Sequence, residues 1–218
     1  MPDIAPRKPD AEKTRQNILA VARQEFAEHG LSGARIDAIA ARISTTKRMI
    51  YYYFGSKEGL YLAVLEQVYG GIRGLEQTLD LDRLSPVEAL RQMVDFTFDY
   101  HEQNPDFVRL VSVENIHHGA HLKQSETLRN LNSTVIASLT TILERGRTAG
   151  LFHADIDAVD LHMMISAPCY YRVSNRYTFG TLFARDMGAP DVRERHKRMI
   201  GDAIIGYHMG SDTSGRKF

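Results

Sequence analysis

The sequence predicts an all-α protein, and three observations carry that prediction. Apolar residues recur at helical spacing along most of the 218 residues. No stretch alternates apolar and polar residues as a strand would, and no internal repeat is present. Helix-start and helix-stop residues stand where the periodicity changes: Thr46, Ser85-Pro86, Asn104-Pro105, Gly119 and Gly150.

Residues 1–10 hold three prolines and Arg7-Lys8, and read as a disordered arm. A first helix follows as TRQNILAVARQEFAEHG, closed by a turn with Gly30 and Gly33. The segment RIDAIAARISTTKRMIYYYF, residues 35–54, then carries two short helical patterns across a tight turn. Ile36, Ile39, Ala40 and Ile43 give the first of these one apolar face. Ser44-Thr45-Thr46 breaks the pattern, and Thr46 is the N-cap of the second helix. That helix begins with Lys47 and Arg48. Cations there oppose the macrodipole, a placement that makes sense if phosphate supplies the compensating charge. Ile50 faces back to the first helix, Tyr51, Tyr52 and Tyr53 ring the far end, and Phe54 closes onto the core. Two helices so arranged form a helix-turn-helix, in which tyrosine hydroxyls reach phosphate oxygens.

The rest continues in helices. One runs from Ser56 toward Leu79, weakened at Gly70-Gly71. Ser85-Pro86 opens another, with Val87, Leu90, Met93, Val94 and Phe98 on one side, and Asn104-Pro105 ends it. A short apolar helix spans 107–116, and a long one spans 123–147. Helices over 158–175 and 192–208 come last, with a loop at 179–190 between them. Pro168 lies inside its helix and is expected to kink it.

Composition bounds the function classes. Hydrophobic residues make up 43%, enough for a sizeable core, and the formal net charge is zero. Residues 1–60 hold ten Lys and Arg against seven Asp and Glu, so the basic excess falls on the segment with the helix-turn-helix. A single cysteine, Cys169, precludes an internal disulfide and fits a reducing cytoplasm. It sits in an apolar helix with no adjacent base, so a buried structural thiol is expected rather than a redox sensor. No apolar run approaches the roughly 20 residues that span a bilayer.

Over residues 14–65 the chain resembles the TetR family of bacterial transcriptional regulators. The first helix, the turn with Gly30 and Gly33, IDAIA, KRMIYYYF and SKEGLYLAVL occur in the family's order and spacing. The resemblance implies an N-terminal three-helix DNA-binding domain over 11–56. It also implies a larger helical ligand-binding and dimerisation domain over 57–210, and a flexible tail covers 211–218. By the same resemblance, Thr46, Lys47, Arg48 and Met49 face base edges, Tyr51, Tyr52 and Lys57 grip phosphates, and Tyr53 stands where many relatives have histidine. Two positions depart from the family pattern. Ala34-Arg35 replaces the usual threonine or serine pair, removing a hydroxyl cap and leaving Arg35 as a phosphate contact. Ser44 replaces the turn glycine. Left-handed backbone there costs about 1 kcal/mol, unless Ser44 and Thr45 relieve it by bonding to the backbone.

The implied function is a cytoplasmic, homodimeric regulator of a palindromic double-stranded operator, a repressor released by a small-molecule effector. Leu161 and Ile165 of one late helix, with Met199, Ala203, Ile204 and Tyr207 of the other, are the expected dimerisation residues. Tyr100, Arg109, Glu114, His117, Cys169 and Arg172 are the candidate ligand-binding residues. Glu114, His117 and His121 would share a face of a continuous helix, but Gly119 interrupts it, so no metal or cofactor is expected. Two other classes remain: an architectural or cell-division DNA-binding protein without ligand control, and an enzyme. Against the enzyme, the chain has no Gly-rich phosphate loop, no HExxH and no nucleophile elbow.

Overall fold

The computed structural model describes residues 8–210, and every regular element among them is helical. The tail expected over 211–218 and the first seven residues of the expected arm lie outside the described residues, and helix α1 (Lys8–Gly33) covers the arm's last three. Its regular geometry breaks at Gly30, where φ is 67°, a conformation glycine adopts without strain. Helices α2 (Ile36–Arg42), α3 (Lys47–Phe54) and α4 (Lys57–Glu76) follow. Helix α4 runs unbroken through Gly70 and Gly71.

Helix α5 (Pro86–Gln103) opens as its sequence predicts. Ser85 accepts from the Glu88 amide, Glu88 accepts in return from the Ser85 amide, and proline fills the first position. Helix α6 (Pro105–Ile116) ends in a turn with His118 and Gly119 at positive φ. Helix α7 is Glu126–Thr148 rather than 123–147. Residues Leu122–Gln124 form a separate 3-10 turn, and Ser125 Oγ accepts the Leu128 amide at 3.1 Å, so the cap lies at Ser125. Helix α8 (Ala158–Ser174) continues through Pro168 as one element. The loop expected at 179–190 is partly helical: α9 is Arg176–Leu182, and α10 is Pro190–Met209. Helix α9 buries no residue, so it left no apolar periodicity to read.

The chain divides into two compact units, one holding the chain up to Gly70 with Arg109–Leu128, the other holding Gly71–Val108 and the chain from Arg129. In the first, Ile18, Phe26, Ile39, Ile50 and Leu60 are wholly buried, and Phe26 stands edge-on to Tyr61 at 5.0 Å. The second is built on α5, which packs against α8 and α10. Its core includes Leu90, Val94, Phe98, Leu139, Leu161 and Ile165.

Candidate nucleic-acid interface

The local chemistry of α2 and α3 fixes what they present. The N-cap of α2 is Arg35, whose side chain makes no cap bond. A different amide at this helix start is held from another helix: Glu25 of α1, 6% exposed, accepts from the amide of Arg35 itself at 3.0 Å. The Arg35 side chain, a donor only, cannot cap these amides and is exposed. At the turn, Ser44 has φ 52°. Backbone amides alone hold it, Ser44 N to Ala41 O at 3.4 Å and Thr45 N to Ala40 O at 3.0 Å. Neither hydroxyl supplies the relief considered above.

Thr46 caps α3, its hydroxyl accepting from the Met49 amide at 3.2 Å, a contact that contributes about 1 kcal/mol. Ile50 is wholly buried and anchors the helix. Thr46, Lys47, Arg48, Tyr51 and Tyr52 are exposed, while Met49 and Tyr53 are half-buried. Tyr53 meets Tyr52 edge-on at 5.3 Å. Lys47 is paired with Asp37 of α2 at 2.7 Å, so a carboxylate already offsets part of the charge attributed to phosphate. Arg48 has no hydrogen bond or ion pair among the described residues and projects an uncommitted guanidinium.

The junction of α3 with α4 is tight. Gly55 ends α3 at φ 74°, and Ser56 Oγ accepts the Gly59 amide at 2.9 Å. A Cβ at Gly59 would lie 2.2 Å from the Phe54 carbonyl oxygen, too close for any other residue. Lys57 is half-buried and donates to the Ser32 carbonyl at 3.2 Å. It therefore ties α4 to the end of α1 while keeping two further N–H donors for phosphate. Glu25, Asp37 and Gly59 were missed in the sequence because each acts across a helix boundary. The signal for Glu25 was a carboxylate facing an uncapped helix start.

The candidate ligand residues are divided between the two units, Arg109, Glu114 and His117 in the first and Tyr100, Cys169 and Arg172 in the second. Glu114, 1% exposed, belongs to the first unit and accepts from His121 Nδ1 at 2.8 Å and from the His121 and Leu122 amides at 3.3 Å each. The His121 ring meets Tyr61 at 5.1 Å, and burial, then Glu114, pushes the Tyr61 hydroxyl up. His117 is half-buried beside His121, and Arg109 is exposed. Among the described residues, no group of three His, Cys, Asp or Glu is arranged to hold a metal ion.

In the second unit, Arg172 is a brace. Its Nε lies 2.9 Å from Glu102 Oε1, and it donates to the Met187 carbonyl at 2.6 Å and to His196 Nδ1 at 2.9 Å. Arg176 holds the other Glu102 oxygen at 2.9 Å. Cys169 is buried in the core, and burial, then Asp95 and Asp99, pushes its thiol up to about 12. Tyr100 is buried beside Phe107.

The expected dimerisation residues separate into two groups. Leu161, Ile165 and Ile204 lie in the core of a single chain, which moves them off any surface. Met199, Ala203 and Tyr207 are exposed along α10 at four-residue spacing. On α8 the exposed apolar line is Val159, Met163, Ala167 and Tyr171, again four residues apart.

A capped, exposed helix held on a second short helix in this way is the recognition element of a helix-turn-helix DNA-binding regulator. Comparison with known proteins carries this further. Residues 18–64 match the family described as "Bacterial regulatory proteins, tetR family", and residues 86–204 match "Tetracyclin repressor-like, C-terminal domain". The chain belongs to the TetR family of bacterial transcriptional regulators. It is 38% identical to the transcriptional repressor NicS of Pseudomonas putida, over 91% of this chain and 94% of that protein. It is 33% identical to the repressor SCO4008 of Streptomyces coelicolor, over 78% and 82%. The fold also resembles that of the regulator FadR of Bacillus subtilis, solved with stearoyl-CoA, at TM-score 0.68 and 16% identity over 88% of this chain and 98% of that one. No helix among the described residues is long and apolar enough to cross a membrane.

Proposed function

We propose that the protein is a cytoplasmic repressor that binds a palindromic operator as a homodimer, each subunit placing α3 in the major groove of one half-site. The observation that carries this reading is the surface of α3: Thr46, Lys47, Arg48, Tyr51 and Tyr52 point outward from a helix pinned by Ile50. Arg48, uncommitted elsewhere, reads a base edge. Lys57, Tyr51 and Tyr52 bind phosphates, with Arg35 as a further contact and Tyr53 and Met49 on the flank.

Dimerisation supplies the second half-site, since one small domain makes few contacts. The two exposed apolar lines on α8 and α10 support it. Repression is supported by the two relatives named repressors, and an effector by the ligand-bound FadR. An effector in the larger unit acts by favouring one conformation of α4 over another. This reading makes the chain a regulator with no catalytic step.

Selection of bound fragments from sheared genomic DNA, followed by footprinting, tests the reading. One enriched palindrome protected over two half-sites is the expected result. Uniform, salt-sensitive retention without a site would indicate architectural binding instead, and no retention would end the proposal.

A further inference from the structure

The positive charges of α2 and α3 are not held alike. Among the described residues, Arg48 has no hydrogen bond or ion pair, Arg42 donates to the neutral Gln24, and Lys47 alone meets a carboxylate. Its Nζ lies 2.7 Å from Asp37 Oδ2. Packing sets both ends of this pair. Asp37 is in the first turn of α2, next to the buried Ile36 and two residues from the buried Ile39. Lys47 opens α3, which the Thr46 cap and the buried Ile50 hold in place against α2. The carboxylate therefore stands where negative charge is favourable for α2, and it offsets the cation that opens α3. Stability is a small part of its effect. The two side chains are 52% and 54% exposed, and exposed pairs contribute little.

We propose that Asp37 is a positioning residue for sequence recognition: it holds the Lys47 ammonium toward a base edge and off the DNA backbone. The inference rests on the reading of α3 as the recognition helix given above. Lysine is a point charge on a flexible four-carbon stem. Unrestrained at the rim of the groove, it takes the nearest phosphate, and a phosphate contact carries no sequence information. Asp37 is an internal anion that competes with that phosphate. One N–H of the ammonium goes to the carboxylate and two remain, matching the O6 and N7 acceptors of a guanine. The partner of Lys47 is therefore a base edge with two adjacent acceptors. Arg48, the next residue, needs no such restraint, because its planar fork is already rigid. Affinity bears the cost. A cation held by a carboxylate neutralises no phosphate and releases no counterion, so Asp37 lowers binding to every sequence while sharpening the choice among them.

The full chain is compared with Asp37→Asn, Asp37→Glu, Lys47→Gln and the double variant Asp37→Asn with Lys47→Gln. The probe is a randomised pool of duplexes of about 30 base pairs, long enough for two half-sites. Affinity for the unselected pool is followed against salt, and the selected fraction is sequenced. In Asp37→Asn, binding to the unselected pool should tighten by about threefold at low salt, and the salt slope should steepen by about 1. At one position in each half-site, the preference for guanine should fall by about fivefold. Asp37→Glu keeps the carboxylate and should stay with the parent in both readings. A merely structural loss would instead weaken binding to every sequence. With Lys47→Gln already in place, Asp37→Asn should leave slope and preference nearly unchanged. A change of full size in that background would mean that the carboxylate acts by its own charge, and overturns the proposal. So does an unaltered slope and preference in Asp37→Asn alone when the parent enriches a site. A parent that binds the pool and enriches no site fails the operator reading itself, and this proposal with it.

Discussion

Helix α3 and the Arg172 cluster of the larger unit treat polar residues in opposite ways. On α3 the polar groups proposed to meet DNA face water, and the helix is held by one cap and one apolar anchor, Thr46 and Ile50. In the larger unit one polar cluster is folded inward and engages its own members, with Arg172 and Arg176 on Glu102 and Arg172 on His196. An exposed side chain offers its chemistry to whatever arrives. A buried one held by its neighbours offers less, however suggestive its residue type.

Core and surface positions of the larger unit give the largest expected effect. Ile204→Glu puts a charge into the core, where an unpaired carboxylate costs more than about 4 kcal/mol. The chain should lose its cooperative thermal transition. Met199→Glu, on the exposed line of α10, should leave unfolding of the protomer intact and shift sedimentation from dimer to monomer. A folded, dimeric Met199→Glu protein would place the interface elsewhere.

Acid should separate the two units next. Burial lowers the proton affinity of His101, His162, His196 and His208, all in the larger unit, and holds His162 at about 4. A histidine that is harder to protonate when folded favours the unfolded state in acid. Its stabilisation is complete above the unfolded value near 6.5 and is lost as pH falls from there toward 4. His162 alone accounts for up to about 3 kcal/mol across that window, at about 1.4 kcal/mol per unit. Circular dichroism melts from pH 7 to pH 4 should show a falling midpoint, and His162→Phe should flatten the fall. An unchanged slope in that variant would shift the effect to the other three histidines. His208 is the next to test, because both its ring nitrogens are buried without a hydrogen bond.

Arg48→Ala acts at the surface and should spare stability. A lost bidentate contact relaxes preference at one base pair by about 1–3 kcal/mol. The variant should melt with the parent, to within about 0.5 kcal/mol. Unaltered sequence preference in a competition assay would remove Arg48 from base readout. Lys57→Ala should weaken binding to all sequences alike and lower the salt slope by about 1. Because Lys57 also bonds the Ser32 carbonyl, a small stability loss should accompany it.

Legibility followed the range of each interaction. The Thr46 cap, the Ser85 capping box and the helix breaks at Gly30 and Gly150 are local, and each is written within a few residues. The bracing of Arg172 by Glu102 joins positions 70 apart, and nothing in the sequence pairs them. Helix α8 is apolar on several faces, so periodicity could not tell inward Leu161 and Ile165 from outward Val159 and Met163. Helix α9 has no buried face, and Tyr177, Leu182 and Phe183 are all exposed. Its pattern therefore read as loop. Glu114 read as a ligand residue because a carboxylate among histidines looks reactive. The turn at His118 and Gly119 instead folds the chain back, so that three donors meet it.

The smallest expected effect probes the turn that carries α3. Ser44 sits at φ 52° and its hydroxyl makes no hydrogen bond among the described residues. Ser44→Gly removes the positive-φ penalty of about 1 kcal/mol and forfeits no contact. Glycine also gains freedom in the unfolded chain, which returns about half of that gain. A net stabilisation of about 0.5 kcal/mol is therefore expected, read as a midpoint rise of a few degrees at most. Operator affinity should hold, since Thr46, Lys47 and Arg48 keep their places on α3. A stabilised variant with weakened binding would mean that the serine hydroxyl itself touches DNA. That outcome would extend the exposed-and-available rule of the DNA-binding unit to the turn as well as the helix.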